Sequence, residues 1–304
     1  MELFKNVKFD PEEFEKELAL KREKLMAIPE ISRLCKEKQI PIEKVSQLSY
    51  FEEYLDSCKL CVGCKGLNEC RQSLKGLRMS LNYDYTLYQV KEYCPYYYDL
   101  QKKDAFKKYL VYSDIPTELE YLTLDDVDVD KTNQDHLKLW VLYKKLVSKE
   151  FNQGLYVYGN FGTGKTYLSI ALANSLAKNS EKVAFVKVTT FVNKMRQYVV
   201  SDHDLYDEIL EDVKRVKYLI MDDIGTESMT SFVRDDILFN LLDYRMENNL
   251  ITIFTSNHSF NSLREALLYD KNYNRETLKA DRLMERIKVL SREYFLGGSD
   301  RRFK

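Results

Sequence analysis

Eight consecutive residues, Gly159-Asn160-Phe161-Gly162-Thr163-Gly164-Lys165-Thr166, assemble the chemistry needed to hold a chain of phosphates. Glycines at 159, 162 and 164 let the backbone turn its N–H groups toward phosphate oxygens. Lys165 can reach β- and γ-phosphates, and the Thr166 hydroxyl can ligate Mg²⁺. The surroundings agree. The apolar run over 155–158 reads as a buried strand, and 167–177, beginning at Tyr167, has helical spacing and good helix formers. A helix opening there adds the positive end of its dipole. A chance glycine-rich turn explains neither the strand before it nor the helix after it. The implied ligand is a nucleoside triphosphate.

A second constellation follows 57 positions beyond Lys165, where Tyr218-Leu219-Ile220-Met221 ends in Asp222-Asp223. A carboxylate at the end of a buried strand is where a phosphate-loop protein holds Mg²⁺. Asp222 is the metal-side candidate, and Asp223 the candidate for polarising an attacking water. Asp-Asp after an apolar run also suits a strand-ending turn. The intervening run Val183-Ala184-Phe185-Val186 favours a βαβ sheet instead. A third run, Ile251-Thr252-Ile253-Phe254-Thr255-Ser256, ends in Asn257, either at the γ-phosphate edge or in a strand-to-loop turn.

Cysteines are unevenly placed. Cys58, Cys61, Cys64 and Cys70 crowd together, Cys94 follows, and Cys35 stands apart on a helical pattern as a buried thiol. Cys-x-x-Cys offers two thiolates from one tight turn, and a tetrahedral Zn²⁺ takes two more. Cys61, Cys64, Cys70 and Cys94 make one such set; Cys58 paired with Cys61 or Cys64 is an alternative. With no His before His136, the site would be all-thiolate. A redox motif fits less well, because no βαβ pattern surrounds these residues.

The elements that must position these groups follow from composition and punctuation. A chain of 304 residues suits two domains, and 44% hydrophobic with 31% charged residues describes a folded protein rather than a disordered one. No apolar run approaches the ~20 residues that span a bilayer, and the opening residues lack a signal-peptide core, so a cytoplasmic protein is expected. A net charge of −1 leaves no global basic footprint for nucleic acid. Asp10-Pro11-Glu12-Glu13 starts a helix that runs to about 28, residues 83–98 read as strand-like, and another helix is expected near 133–150. From 154 onward strands and helices alternate.

Arginines crowd the C-terminal stretch, in Asp281-Arg282-Leu283-Met284-Glu285-Arg286-Ile287 and Asp300-Arg301-Arg302. Solvated helix faces are their default use. Beside a phosphate site, an Arg supplied by a neighbour can stabilise transition-state charge.

Together the phosphate loop, the stretch from Leu219-Ile220-Met221-Asp222-Asp223-Ile224-Gly225 to Thr230, Val233-Arg234-Asp235-Asp236, and Ala280-Asp281-Arg282-Leu283-Met284-Glu285-Arg286 resemble the DnaI/DnaC-like family of bacterial primosomal helicase loaders. The resemblance covers essentially the whole chain, Cys-rich front included. It implies an α/β fold: an AAA+ P-loop parallel sheet with flanking helices, preceded by a small, mainly helical zinc-binding domain. It implies residues 1–105 as the helicase-interaction domain and 106–304 as the ATPase domain, with a linker over 106–135. It further implies ATP, Mg²⁺ and Zn²⁺ as cofactors. The implied partners are the hexameric replicative helicase, single-stranded DNA, other primosome proteins and neighbouring copies on the helicase ring, with no membrane.

Carried over, Lys165 and Thr166 are the nucleotide pair, Asp222 and Asp223 the second carboxylate motif, Asn257 the first sensor, Arg286 the arginine finger, and Arg301 or Arg302 the second sensor. Ser113-Asp114-Ile115-Pro116 resembles the adenine-pocket segment, and the region of Thr189, Lys194 and Arg196 is the expected DNA contact. Many AAA+ enzymes have Glu where this chain has Asp223, so slow hydrolysis is expected, with Glu227 as a substitute. Two other functions fit the same core. One is an ATPase assisting a transposase or origin, and the other is a nucleotide-switched binding module without significant hydrolysis.

Overall fold

In the computed structural model, residues 10–129, 132–225, 230, 232–268 and 275–301 are described. The chain divides into two compact units, Met1–Asp104 and Ala105–Lys304.

The first unit opens with α1 (Pro11–Met26), whose N-terminus Asp10 caps by accepting from the Glu12 and Glu13 amides. Then come α2 (Pro29–Glu37), α3 (Ser49–Cys61), a hairpin of β1 (Leu77–Asp84) and β2 (Thr86–Tyr93), and α4 (Pro95–Asp104). Ile31, Leu34, Cys35, Phe51, Leu81 and Leu87 form its core. The strand-like pattern expected over 83–98 catches β2 but misses most of β1. It also overruns into α4, where Pro95 is tolerated in a first helical turn.

The second unit contains β3 (Leu110–Ser113), α5 (Gln134–Val147), β4 (Gly154–Tyr158), α6 (Lys165–Lys178), β5 (Val183–Lys187), α7 (Val188–Ser201), α8 (His203–Arg215) and β6 (Tyr218–Asp222). A π-helical segment, Phe232–Phe239, leads into α9 (Asn240–Glu247). The chain continues through β7 (Ile251–Ser256), α10 (Phe260–Leu267), α11 (Thr277–Leu290) and β8 (Ser291–Phe295). The strands form one parallel sheet in the order β3-β5-β6-β7-β4-β8. Residues 106–135, expected as a linker, instead supply edge strand β3 and the core side chains Leu124 and Val127.

Strand periodicity divides the core into two layers. Tyr156, Ala184, Val186, Leu219, Met221 and Phe254 face α7–α11. Leu155, Val157, Phe185, Ile220 and Ile253 face α5 and α6. Both sheet faces are therefore covered, which is why the central strands read as unbroken apolar runs. The carboxyl ends of β4, β6 and β7, three strands neighbouring in the order β6-β7-β4, lie side by side at one edge. Parallel α/β sheets bind ligands at such an edge.

Candidate nucleotide-binding site

A cleft of about 550 Å³ opens at that edge, lined by Phe161, Gly162, Gly164, Lys165, Thr166, Tyr167, Asp223, Thr255, Asn257, Arg301 and Asp128. Its size suits a nucleotide. The loop leaves β4 at Gly159, and Gly164, at φ 95°, caps α6 in a left-handed conformation that an L side chain resists. Gly162, at φ 75°, is also left-handed and favours glycine, and a Cβ there would fall 2.0 Å from Asp300 Oδ1 and displace that carboxylate. Asn160 and Thr163 are tied together within the loop, the Thr163 hydroxyl donating to the Asn160 carbonyl at 3.0 Å.

Lys165 is 8% exposed, and its ammonium points into the loop. It donates to the Gly159 and Asn160 carbonyls and to Asn257 Oδ1, each at 2.9 Å. Burial pulls its pKa down, opposed by the nearby Asp223 and Asp222 carboxylates. The Thr166 hydroxyl reaches both Asp222 oxygens, at 2.9 and 3.1 Å. Asp222 is 2% exposed, and burial pushes its pKa up against the hydroxyls of Thr255 and Thr166. Asn257 Nδ2 donates to Asp223 Oδ1 at 3.2 Å, so one amide joins the loop lysine to the second carboxylate. A hydroxyl beside a buried carboxylate at the head of the phosphate cradle is a donor set that fits Mg²⁺.

Two residues carried no sequence signal, Thr255 in the cleft lining and His136 behind its wall. Thr255 donates to Asp222 Oδ1 at 2.6 Å and accepts from the Asp223 amide at 2.9 Å. His136, on α5 and buried, meets the Arg301 guanidinium through Nε2 at 2.5 Å, while the Arg301 amide donates to the Gly162 carbonyl at 2.9 Å. Arg301 therefore belongs to the cleft wall. Arg302 and Glu227 lie outside the described residues.

Arg286 does not line this cleft. On α11 its Nε donates to Asp243 Oδ1 at 3.0 Å, and its guanidinium lies 4.6 Å from the centre of the Phe239 ring, which Arg282 also covers. The segment expected at the adenine lies elsewhere. Ser113 and Ile115 line a separate cavity, and Asp114 accepts from Lys194 at 2.8 Å. Lys194, expected to face DNA, is thereby tied to β3. The Arg196 guanidinium donates to Asn193 and Thr230, and Thr189 lies in the first turn of α7.

In the first unit Cys61, Cys64, Cys70 and Cys94 line one cavity of about 100 Å³. Gln72 Nε2 donates to Cys61 Sγ at 3.3 Å, and the Gly76 amide to Cys70 Sγ at 3.5 Å. Backbone N–H groups of Gly76 and Gln72 lower the Cys70 pKa, favouring the thiolate a metal would take. Cys58 does not line the cavity; burial raises its pKa, and it bonds Tyr54. Among the described residues no three His, Cys, Asp or Glu side chains are gathered closely enough to hold a metal. The four sulfurs share a cavity without sharing a coordination sphere.

Residues 101–294 match the family described as IstB-like ATP binding protein. The chain is 31% identical over 303 residues to the replicative helicase loader DnaI of Bacillus subtilis strain 168, covering 95% of this chain and 94% of that one. Against the replicative helicase loader DnaC of Escherichia coli K12 it is 23% identical over 109 residues, 36% of this chain and 44% of the relative. A crystal structure of DnaI superposes with a TM-score of 0.51 at 34% identity, over 62% of this chain and 95% of that one. A putative primosome component from Streptococcus pyogenes serotype M3 gives 0.53 at 31% identity, over 66% and 100%.

Proposed function

Because the chain belongs to the IstB-like ATP-binding proteins and to the family of the replicative helicase loader DnaI, we propose that it uses ATP to deliver the hexameric replicative helicase onto single-stranded DNA. The observation that carries this reading is the alignment to DnaI through both units, phosphate loop and Cys-rich front together. No helix among the described residues is long and apolar enough to cross a membrane.

The loop amides and Lys165 bind the phosphates. Thr166 and Asp222 hold Mg²⁺, which when bound offsets charge on the β- and γ-oxygens. Asp223 orients the attacking water, with Asn257 holding its carboxylate and sensing the γ-phosphate. Asp223 is one methylene shorter than Glu, so turnover is slow. Arg301 meets the nucleotide from the C-terminal segment, with Arg302 as the alternative second sensor. Arg286 acts on a neighbouring copy's nucleotide rather than its own. That role requires self-association on the helicase ring and release of Arg286 from Asp243. The first unit docks the helicase; for Cys61, Cys64, Cys70 and Cys94 to hold structural Zn²⁺ there, their side chains would have to draw closer together than the structure places them. Single-stranded DNA and other primosome proteins complete the assembly.

Two measurements test the reading. The full chain should capture the replicative helicase hexamer, and its ATP turnover should rise when helicase and single-stranded DNA are added together. Capture without any turnover would favour a nucleotide-switched binding module. Turnover stimulated by duplex DNA without helicase capture would favour a transposase or origin assistant.

A further inference from the structure

Asp222, the last residue of β6, and the two residues after it all bond one residue of β7, Thr255. The register of the two strands ends at Met221 opposite Phe254. Beyond it Thr255, 1% exposed, takes over with three bonds. Its hydroxyl donates to Asp222 Oδ1 at 2.6 Å, the same hydroxyl accepts from the Asp223 amide at 2.9 Å, and its carbonyl accepts from the Ile224 amide at 2.9 Å. A hydroxyl has one proton and two lone pairs, so both side-chain bonds are made at once.

Asp223 needs such a clasp. Its φ of 62° lies in the left-handed region, which a non-glycine residue occupies at a cost unless its surroundings hold it there. That backbone turn aims the two successive carboxylates differently. Asp222 is drawn toward Thr166 behind the loop, and Asp223 toward the cleft and Asn257. Thr166 is itself the candidate metal ligand. Thr255 is therefore the donor that remains to Asp222 when Thr166 is otherwise engaged.

We propose that Thr255 is a positioning residue for ATP hydrolysis, its single hydroxyl fixing Asp222 and Asp223 in their separate roles. The inference rests on the ATPase reading above but has a readout independent of it. Valine at 255 keeps the β-branched shape and the carbonyl while deleting the hydroxyl.

In metal-free, nucleotide-free full-length Thr255→Val, hydrogen exchange at the Asp223 amide should quicken about tenfold, the scale of one lost hydrogen bond. The Ile224 amide, bonded to the carbonyl, should stay within about threefold, which a general loosening would not allow. Loss of a group that orients metal ligands typically costs about 10–100-fold in activity, so kcat should fall on that scale. The Kd for ATP without Mg²⁺ should hold within about twofold, because Lys165 and the loop amides are untouched. Thr255→Ser should restore both the exchange rate and kcat. Wild-type exchange at Asp223 in Thr255→Val would overturn the proposal. So would wild-type kcat in that variant, or a folded Thr255→Ser as slow as the valine. A wild-type chain that binds ATP without turning it over would remove the hydrolytic reading instead, and the exchange comparison would still decide whether the clasp exists.

Discussion

Arg245 offers the most demanding test of how the sheet is held. It sits on α9, fully buried, and burial pulls its pKa down to about 9, so it remains charged at neutral pH. The guanidinium donates to the carbonyls of Val216 and Ile251 at 2.7 Å and to Thr252 Oγ1 at 2.8 Å. Longer bonds run to Lys214, Lys217 and Val213 at 3.2, 3.4 and 3.5 Å. One side chain thus ties the end of α8 to the starts of β6 and β7, the strands that carry Asp222 and Asn257 at their other ends. Arg245→Met keeps most of the stem volume but strands these acceptors. Each short bond lost leaves a buried acceptor costing about 1–3 kcal/mol. Removing the cation also removes its own desolvation cost, so the sum overstates the loss. A net destabilisation of about 4 kcal/mol is expected, at the upper end for a single substitution that leaves buried polar groups unsatisfied. At about 2–4 °C per kcal/mol for a unit of this size, the ATPase unit should melt about 8–16 °C lower. Differential scanning calorimetry reads this directly, and ATP affinity measured well below the transition should match wild type. Melting within about 3 °C of wild type would show that water or relaxation satisfies the carbonyls, and the anchoring argument would fail.

Lys165→Ala should weaken ATP binding at least about 100-fold by isothermal titration, since charge-assisted bonds to phosphate are lost, while helicase capture persists. Loss of helicase capture in the folded variant would contradict the division of labour. Purified protein should carry about one Zn²⁺ per chain by elemental analysis, reduced by Cys61→Ser or Cys94→Ser and unchanged by Cys58→Ser or Cys35→Ser. Arg286→Ala should bind ATP normally yet lose helicase-stimulated turnover by about 10³-fold or more. Mixing it with Lys165→Ala should recover part of that turnover, because an intact loop and an intact finger then meet across one interface. No recovery from demonstrably co-assembled variants would refute the assignment.

The central strands were legible because burial on both faces leaves no reason for polar residues. Runs such as Leu219-Ile220-Met221 and Ile253-Phe254 declare themselves, and the Asp10 cap followed its rule. The edges were not legible. β8, Ser291-Arg292-Glu293-Tyr294-Phe295, presents a charged and largely exposed pattern that blunts a sheet edge and hides its strand character. β3 is four residues long, too short for periodicity to speak. Its pairing with β5 turned an expected linker into part of the sheet. β1 is a different case: Leu77, Met79, Leu81 and Tyr83 alternate with Arg78, Ser80, Asn82 and Asp84 over eight residues, so its period of two was there to be read and was missed.

Within the site, legibility tracked chemical rarity. Glycine spacing around a Lys-Thr pair occurs seldom enough to be read without coordinates, whereas Asp222-Asp223 drew its meaning from the strand series in which it falls. Thr255 and His136 are common residue types whose meaning comes only from what lies opposite. His136 meets Arg301 across 165 positions, and Thr255 reaches Asp222 across 33. Arg245 inverts the usual expectation for arginine, because its value lies in carbonyls left over where α8, β6 and β7 begin and end. Such unmet backbone acceptors are a property of how elements meet, and no window of sequence contains them. The reactive groups are thus local in sequence, whereas the residues that hold them at fixed distances come from distant segments. A loader with an intact phosphate motif but a changed partner at Thr255 or Arg245 would still read as an ATPase while having lost the geometry that makes it one.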